Sequence, residues 1–304
     1  MAPASERSKQ AHDPWKLGGL SVVELGKRVW KNYNEHNVPV WATFLAFSFL
    51  LSLFPMFIVF ASLGAYLDVT PAQVLDLLAR FAPPEAVQLL RGTVHEVLGN
   101  RSPGLISFGI LLSLWAASSG IMAIMRALNH AYEVEEDRNF FMQRATALFL
   151  LLTAGTILLF NLLLITVGPV IGDWLNQHIP PGSLWELVWN VSRWLAQFIL
   201  ALLMVALIYY FAPAADNEWK WITPGSLVAV ILWIIASIGF SLYVQNFGHY
   251  STAYGSLGAA IVLMLWLQLT GMVILIGGEI NAQIDKAADA AREKDKTSED
   301  RTSE

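Results

Sequence analysis

The 304-residue chain has no cysteine. That excludes a disulfide, a thiolate nucleophile and a Cys-ligated zinc, and leaves the redox compartment undetermined. Charge is scarce as well. Only 14% of residues are Asp, Glu, Lys or Arg, against ~25% in soluble proteins, while 55% are hydrophobic and the mean hydropathy is +0.50. So little charge argues against a water-soluble core. The net charge of −5 comes without the clustered Lys/Arg surface that neutralises phosphates, so no nucleic-acid partner is expected.

Motifs that activate water or a nucleophile are missing too. The histidines stand scattered at positions 12, 36, 95, 130, 178 and 249, with no H-x-H-x-D-H box. His95-Glu96 lacks a second histidine three or four residues away. Ser118-Ser119-Gly120 is not a G-x-S-x-G elbow. No catalytic residue, metal or cofactor is therefore expected. Residues Met1 to Pro14 lack the apolar core of a cleavable signal peptide, so the amino terminus is expected to be retained.

What the chain does have is long apolar runs. Between Leu257 and Ile276 no side chain is ionisable, and about 20 residues at ~1.5 Å each cover a hydrocarbon core of roughly 30 Å. Six such spans are predicted, at about 38–67, 105–125, 145–167, 186–211, 223–244 and 254–280, within a membrane domain of residues 38–284. The fold class is all-α, a polytopic membrane helix bundle. Small residues four apart, such as Gly255 with Ala259 and Gly278 with Ala282, suit close helix approach, within one bundle or in a homo-oligomer. Pro55 sits inside the first span and should kink it.

The segments between and around the spans carry helix signals. In residues 1–37, Ser21-Val22-Val23-Glu24 has capping-box spacing, and Val22, Leu25, Val29 and Tyr33 share one helical face. That helix lies on the membrane surface or packs on the protein's own loops. Thr70-Pro71-Ala72-Gln73 is a strong helix start. It predicts an amphipathic helix over 71–81, followed by a second over about 85–98. Prolines 169, 180 and 181 predict a loop over 168–182, and Ser183 to Glu186 a capped start to the fourth span. Arg193 is expected at headgroup level among Trp185, Trp189 and Trp194. The segment 285–304, charged in both signs and without apolar periodicity, is expected to be disordered.

With six spans both termini share a side. Fifteen of the 19 Lys and Arg fall there, and only Arg80, Arg91, Arg101 and Arg193 fall opposite. By the positive-inside rule the termini are cytoplasmic and the amphipathic pair is extracytoplasmic. Arg126, Arg144 and Glu279 then share cytoplasmic depth, with Glu35, Asn129 and Asn281 nearby. Glu279 is expected to pair with Arg126 or Arg144, as a gate or helix clamp, unless these charges simply face water. No ionisable side chain falls at mid-depth of any span, so a cargo would be neutral, zwitterionic or amphipathic, or moved without coupling. Asn161 and Gln268 are the deepest polar groups and need partners inside the bundle. With Ser48 and Ser52 they either pack helices or line a cavity.

Three blocks occur in order: YNEHNVPVWATFLAFSFLLSLFP at 33–55, SSGIMAIMRALNHAYEVEEDRNFFMQR at 118–144 and YGSLGAAIVLMLWLQLTGMVILIGGEINAQI at 254–284. In them the chain resembles the YihY/BrkB family of bacterial inner-membrane proteins. It departs at Ala46-Phe47-Ser48-Phe49, where that family often shows an Ala-Tyr-Tyr type sequence. The resemblance implies a six-span helical fold in the cytoplasmic membrane. Members have carried the labels virulence factor, transporter and, historically, tRNA-processing ribonuclease. Multiple spans, the Pro-containing first helix and the buried amides favour a passage protein for a lipid or small solute. A non-catalytic scaffold for cell-envelope machinery is the alternative, and a ribonuclease is the least favoured reading.

Overall fold

The computed structural model describes residues 14–66, 70–79, 91–92, 95, 103–178, 184–215, 221–246 and 250–302. A short 3-10 segment, Pro14–Gly19, leads into α1 (Val22–Glu35), α2 (Val38–Tyr66) and α3 (Pro71–Ala79). Then come α4 (Pro103–Tyr132), α5 (Phe140–His178), α6 (Trp185–Phe211), α7 (Pro224–Asn246) and α8 (Tyr250–Thr302). Among the described residues there is no strand.

Local chemistry sets several of these boundaries. Ser21 caps α1, its hydroxyl accepting from the Glu24 N–H at 3.2 Å. At α3 the capping is reciprocal: Gln73 N–H donates to Thr70 Oγ1 at 3.3 Å, and Thr70 N–H donates to Gln73 Oε1 at 2.9 Å. Thr223 and Ser226 do the same ahead of α7, at 2.9 and 3.1 Å. Each device satisfies N–H groups that a helix start leaves without partners. The predicted helix over 85–98 lies outside the described residues, apart from 91, 92 and 95.

Three expectations need correction. The chain does not break over 168–182, because α5 carries Pro169 inside it and runs to His178. A proline removes one backbone hydrogen bond, and the apolar residues on both sides keep the rest of the helix worth forming. The N-cap of α6 is Leu184, with no side-chain cap; Ser183 lies outside the described residues. Past Ile284 the chain remains helical, since α8 continues to Thr302. The Ala- and Lys/Glu-rich sequence there has high helix propensity and extends a helix already nucleated. Ala287 and Ala288 are buried under the 3-10 segment, where a Cβ on Gly18 would stand 2.8 Å from that of Ala287.

The long helices close into a ring. In order, α2 packs on α4, α4 on α5, α5 on α6, α6 on α7, α7 on α8, and α8 returns to α2. The 3-10 segment and α1 lie along α8. Leu25 is buried against Ile280 and Ile284, with Val29 beside them. The apolar face of α1 is thus spent on the protein itself, although Val22 at its start stays exposed. Arg193 packs on Gly168, and Trp189, stacked with Trp185, donates its indole N–H to the Gly168 carbonyl at 2.9 Å.

Among the described residues burial is greatest toward one end; the side chains of 53–66, 103–110 and 250–257 lie outside them. The core comprises Ala42 and Leu45 of α2, Met122 to Leu128 of α4, Leu150 of α5, Leu202 to Tyr209 of α6, Val230 of α7 and Val273 and Leu275 of α8. All of these lie toward the same end of an up-and-down bundle. Toward the other end Leu158, Leu163 and Ile165 of α5, Leu187, Val191 and Ile199 of α6, and Ile235, Ile238 and Leu242 of α7 are exposed. Among the described residues four helical segments are long and apolar enough to cross a membrane: Phe140–Trp174, Leu187–Phe211, Pro224–Val244 and Ala260–Glu293, with Val38–Ser52 a shorter apolar stretch.

Candidate functional site

At the packed end a buried carboxylate meets two helix junctions. Glu279 of α8 has no exposed surface. Its Oε1 is 2.6 Å from Nδ1 of His36, which occupies the junction between α1 and α2. The other face of the imidazole points to water: Nε2 is 3.1 Å from Oε1 of Glu133, itself held at 2.7 Å by Lys286. Asn32 stands beside the Glu279 carboxyl. His130 and Trp41 stack around the imidazole pair, with ring centroids 5.3 Å (His36 to His130) and 5.2 Å (Trp41 to His130) apart.

Backbone geometry delivers these groups. Glu133 ends α4 in the left-handed region at φ 55°, and Val134 and Glu133 donate to the carbonyls of Asn129 and His130. This is a Schellman ending, for which glycine is the usual residue. A side chain there costs ~1 kcal/mol of backbone preference, and the one present faces His36 and Lys286. Asn37, also left-handed at φ 51°, turns the chain sharply after His36.

The Lys286 hydrogen bond, reinforced by His36, holds the Glu133 carboxyl below the usual carboxylate range. Glu136 is likewise held low, chiefly by Arg138. Arg138 forks onto Glu136 at 2.6 and 2.7 Å and also donates to the Phe211 and Ala212 carbonyls at 3.0 and 2.8 Å. It thereby satisfies the C-terminal end of α6, where a cation also suits the helix dipole.

The residues singled out in the sequence meet different fates. Glu279 pairs with neither Arg126 nor Arg144. Arg144 bends the other way, donating to the Trp115 carbonyl at 3.0 Å and Ser118 Oγ at 2.7 Å with its guanidinium 4.0 Å over the Trp115 ring. Arg126 is exposed, and its charge opposes that of Arg144. Glu35 is exposed and reaches only Lys31 of its own helix, at 3.6 Å. Asn129 and Asn281 do join buried contacts: Asn129 accepts from Ala214 N–H at 2.7 Å and donates to Glu136 at 2.9 Å, while Asn281 accepts from Gly225 N–H and donates to Thr223, both at 3.0 Å.

A cavity of about 310 Å³ adjoins this end. Tyr132, Tyr209, Asn281 and Thr223 line it, and Asp285, Lys286, Asp289 and Arg292 add charged side chains. None of the four residues expected to line a cavity does so here. Asn161 donates to the Ile157 carbonyl of its own helix at 3.1 Å, Ser48 to Phe44, and Ser52 to Ser48 and Phe49. Gln268 donates to Thr43 Oγ1 at 2.9 Å and so ties α8 to α2. Among the residues missed from sequence are His36, Glu133, Lys286 and Tyr209. The available signal was His36 itself, a histidine between an amphipathic helix and a span, at the same depth as an acidic residue in need of a partner.

Long apolar helices joined in a ring and clamped at one end by polar residues define a polytopic helical membrane protein. The chain belongs to the virulence factor BrkB family, which matches residues 29–302. It is 40% identical over 260 residues to the ribonuclease-like protein YfkH of Bacillus subtilis, covering 86% of this chain and 94% of that one. It is 27% identical over 266 residues to a UPF0761 membrane protein of Tolumonas auensis, covering 84% and 83% of the two chains. To its counterpart in Aeromonas salmonicida it is 28% identical over 258 residues, covering 84% and 86%. No solved structure matches the chain.

Proposed function

We propose that this protein passes a neutral, zwitterionic or amphipathic small solute or lipid through or along the cytoplasmic membrane, and is not an enzyme. In this reading α2 and α4 to α8 are six spans, both termini face the cytoplasm, and α3 lies on the opposite side. The ~310 Å³ cavity at the packed end carries the proposal: the tyrosines, Asn281 and mixed charges around it suit a polar or zwitterionic group. The exposed apolar side chains of α5 to α7 beyond it suit acyl chains or an uncharged solute.

The test is native mass spectrometry of protein extracted in mild detergent, followed by flux measurements on the bound species in reconstituted vesicles. The expected result is a defined lipid or small solute that survives extraction and moves only in vesicles containing the protein. A copurifying envelope protein with no small ligand and no flux would replace the passage reading with the scaffold one.

A further inference from the structure

The passage reading leaves unexplained why a carboxylate is sealed inside the packed end. Glu279 has no exposed surface, and among the described residues its Oε2 is enclosed with no hydrogen bond in good geometry, Asn32 standing beside the carboxyl. Burying an ionised carboxylate with one oxygen unsatisfied is costly, and taking up a proton removes the charge that makes it so. A route for that proton is present: Glu133, half exposed, touches Nε2 of His36, and Nδ1 of the same ring touches Glu279. A carboxylate, an imidazole contacted at both nitrogens and a second carboxylate in line can pass a proton between them.

We propose that Glu279 is a proton-binding site loaded from the cytoplasm through His36, with Glu133 as the water-facing end. The transfer balances. The imidazole gives its Nδ1 proton to Glu279 Oε1 and receives one at Nε2 by way of Glu133, so one proton moves from bulk water to the buried carboxyl and the ring changes tautomer. Several groups face the site and tune it: Asn32 from α1, His130, Tyr132 and Glu133 from the end of α4, and Lys286 and Asp285 from α8. Protonation turns the charge-assisted bond from Nδ1–H to the carboxylate into a neutral one from the carboxylic O–H to Nδ1, and so weakens the contact joining α8 to the α1–α2 junction. Resting on the passage reading, this gives passage a proton-sensitive barrier although no span carries a charge at mid-depth.

Infrared difference spectra of the protein in lipid, recorded as the pH is stepped from weakly alkaline to weakly acidic, read the site directly. The expected result is a carboxylic C=O band that grows with acid, is absent in Glu279→Gln, and has a shifted midpoint in His36→Gln. A band unchanged in Glu279→Gln, or an unchanged midpoint in His36→Gln, overturns the assignment. Glu133→Gln, at a half-exposed position, keeps the test alive where the buried variants do not fold. It should slow the appearance of the band after a pH jump several-fold at unchanged final amplitude, and an unchanged rate counts against the route. Flux in vesicles is scored separately. A titrating Glu279 without flux sinks the passage reading alone, and flux without a titrating Glu279 sinks the proton site alone.

Discussion

Gly277 of α8 and Gly225 of α7 lie backbone to backbone: a Cβ on Gly277 would stand 2.7 Å from the Gly225 carbonyl oxygen and 2.8 Å from the Ala229 Cβ. The Tyr209 hydroxyl fills the remaining space and donates to the Ile274 carbonyl at 2.7 Å. Neither backbone can give way without moving a helix. Gly277→Ala is therefore expected to lose about 1–3 kcal/mol by overpacking, seen as a lower melting temperature in detergent. Gly155→Ala, inside α5 with open space around it, should raise the melting temperature slightly, since Ala is about 1 kcal/mol better than Gly in a helix interior.

Arg138, in the loop after α4, reaches the end of α6 through two hydrogen bonds and grips Glu136 of its own loop with two more. Its removal takes the side-chain donor from two carbonyls and leaves Glu136 with Asn129 and a backbone N–H. Arg138→Ala should cost about 2–3 kcal/mol, and Arg138→Lys should recover only part of this because an ammonium cannot fork. Chemical denaturation of the three proteins side by side checks the order.

Glu133 and Glu136 are both held below the usual carboxylate range. A carboxylate depressed in the folded state contributes stability above its unfolded pKa and loses it as the pH falls through the folded one. The wild type should thus be steady near neutrality and weaken on acidification below the ordinary carboxylate value. The Glu136→Gln variant should start lower and show a shallower acid decline in melting temperature.

Gln268 and Thr43 form a polar tie between the last and first long helices. Inter-helix hydrogen bonds in membranes average about 0.6 kcal/mol, so Gln268→Leu and Thr43→Val should each destabilise slightly. The double variant should be no worse than either, and a double-mutant cycle measures that coupling.

The helices were legible in the sequence because length and apolarity are local properties. The spans at 186–211 and 223–244 match α6 and α7 almost end to end. Thr70 announced the start of α3 through nearest-neighbour chemistry. Pro169 misled because a proline weakens a helix by a fixed local amount, while packing and apolar flanks decide whether it breaks. The tail past Ile284 misled because charge composition carries no information about a helix entering from upstream. At the site, the depth argument grouped Glu279, Asn129 and Asn281 at one end. It chose Arg126 or Arg144 as the partner of Glu279 and missed His36, because residues at equal depth on different helices differ in azimuth, and azimuth is set by the ring order. His36 and Glu133 sit on turns with left-handed backbone, and their side-chain directions follow from that geometry rather than from any periodicity.

The ring is sewn shut between its first long helix and its last. His36 and Glu279, which meet across that seam, are 243 residues apart in the chain. During synthesis α1 and α2 must therefore wait, with their contact faces vacant, until α8 emerges. Everything made before then is an open sheet of helices with two unmatched edges. Completion of the bundle is a late event governed by the last fifth of the chain, and a ribosome that stops before α8 leaves an unclosed product with exposed contact faces.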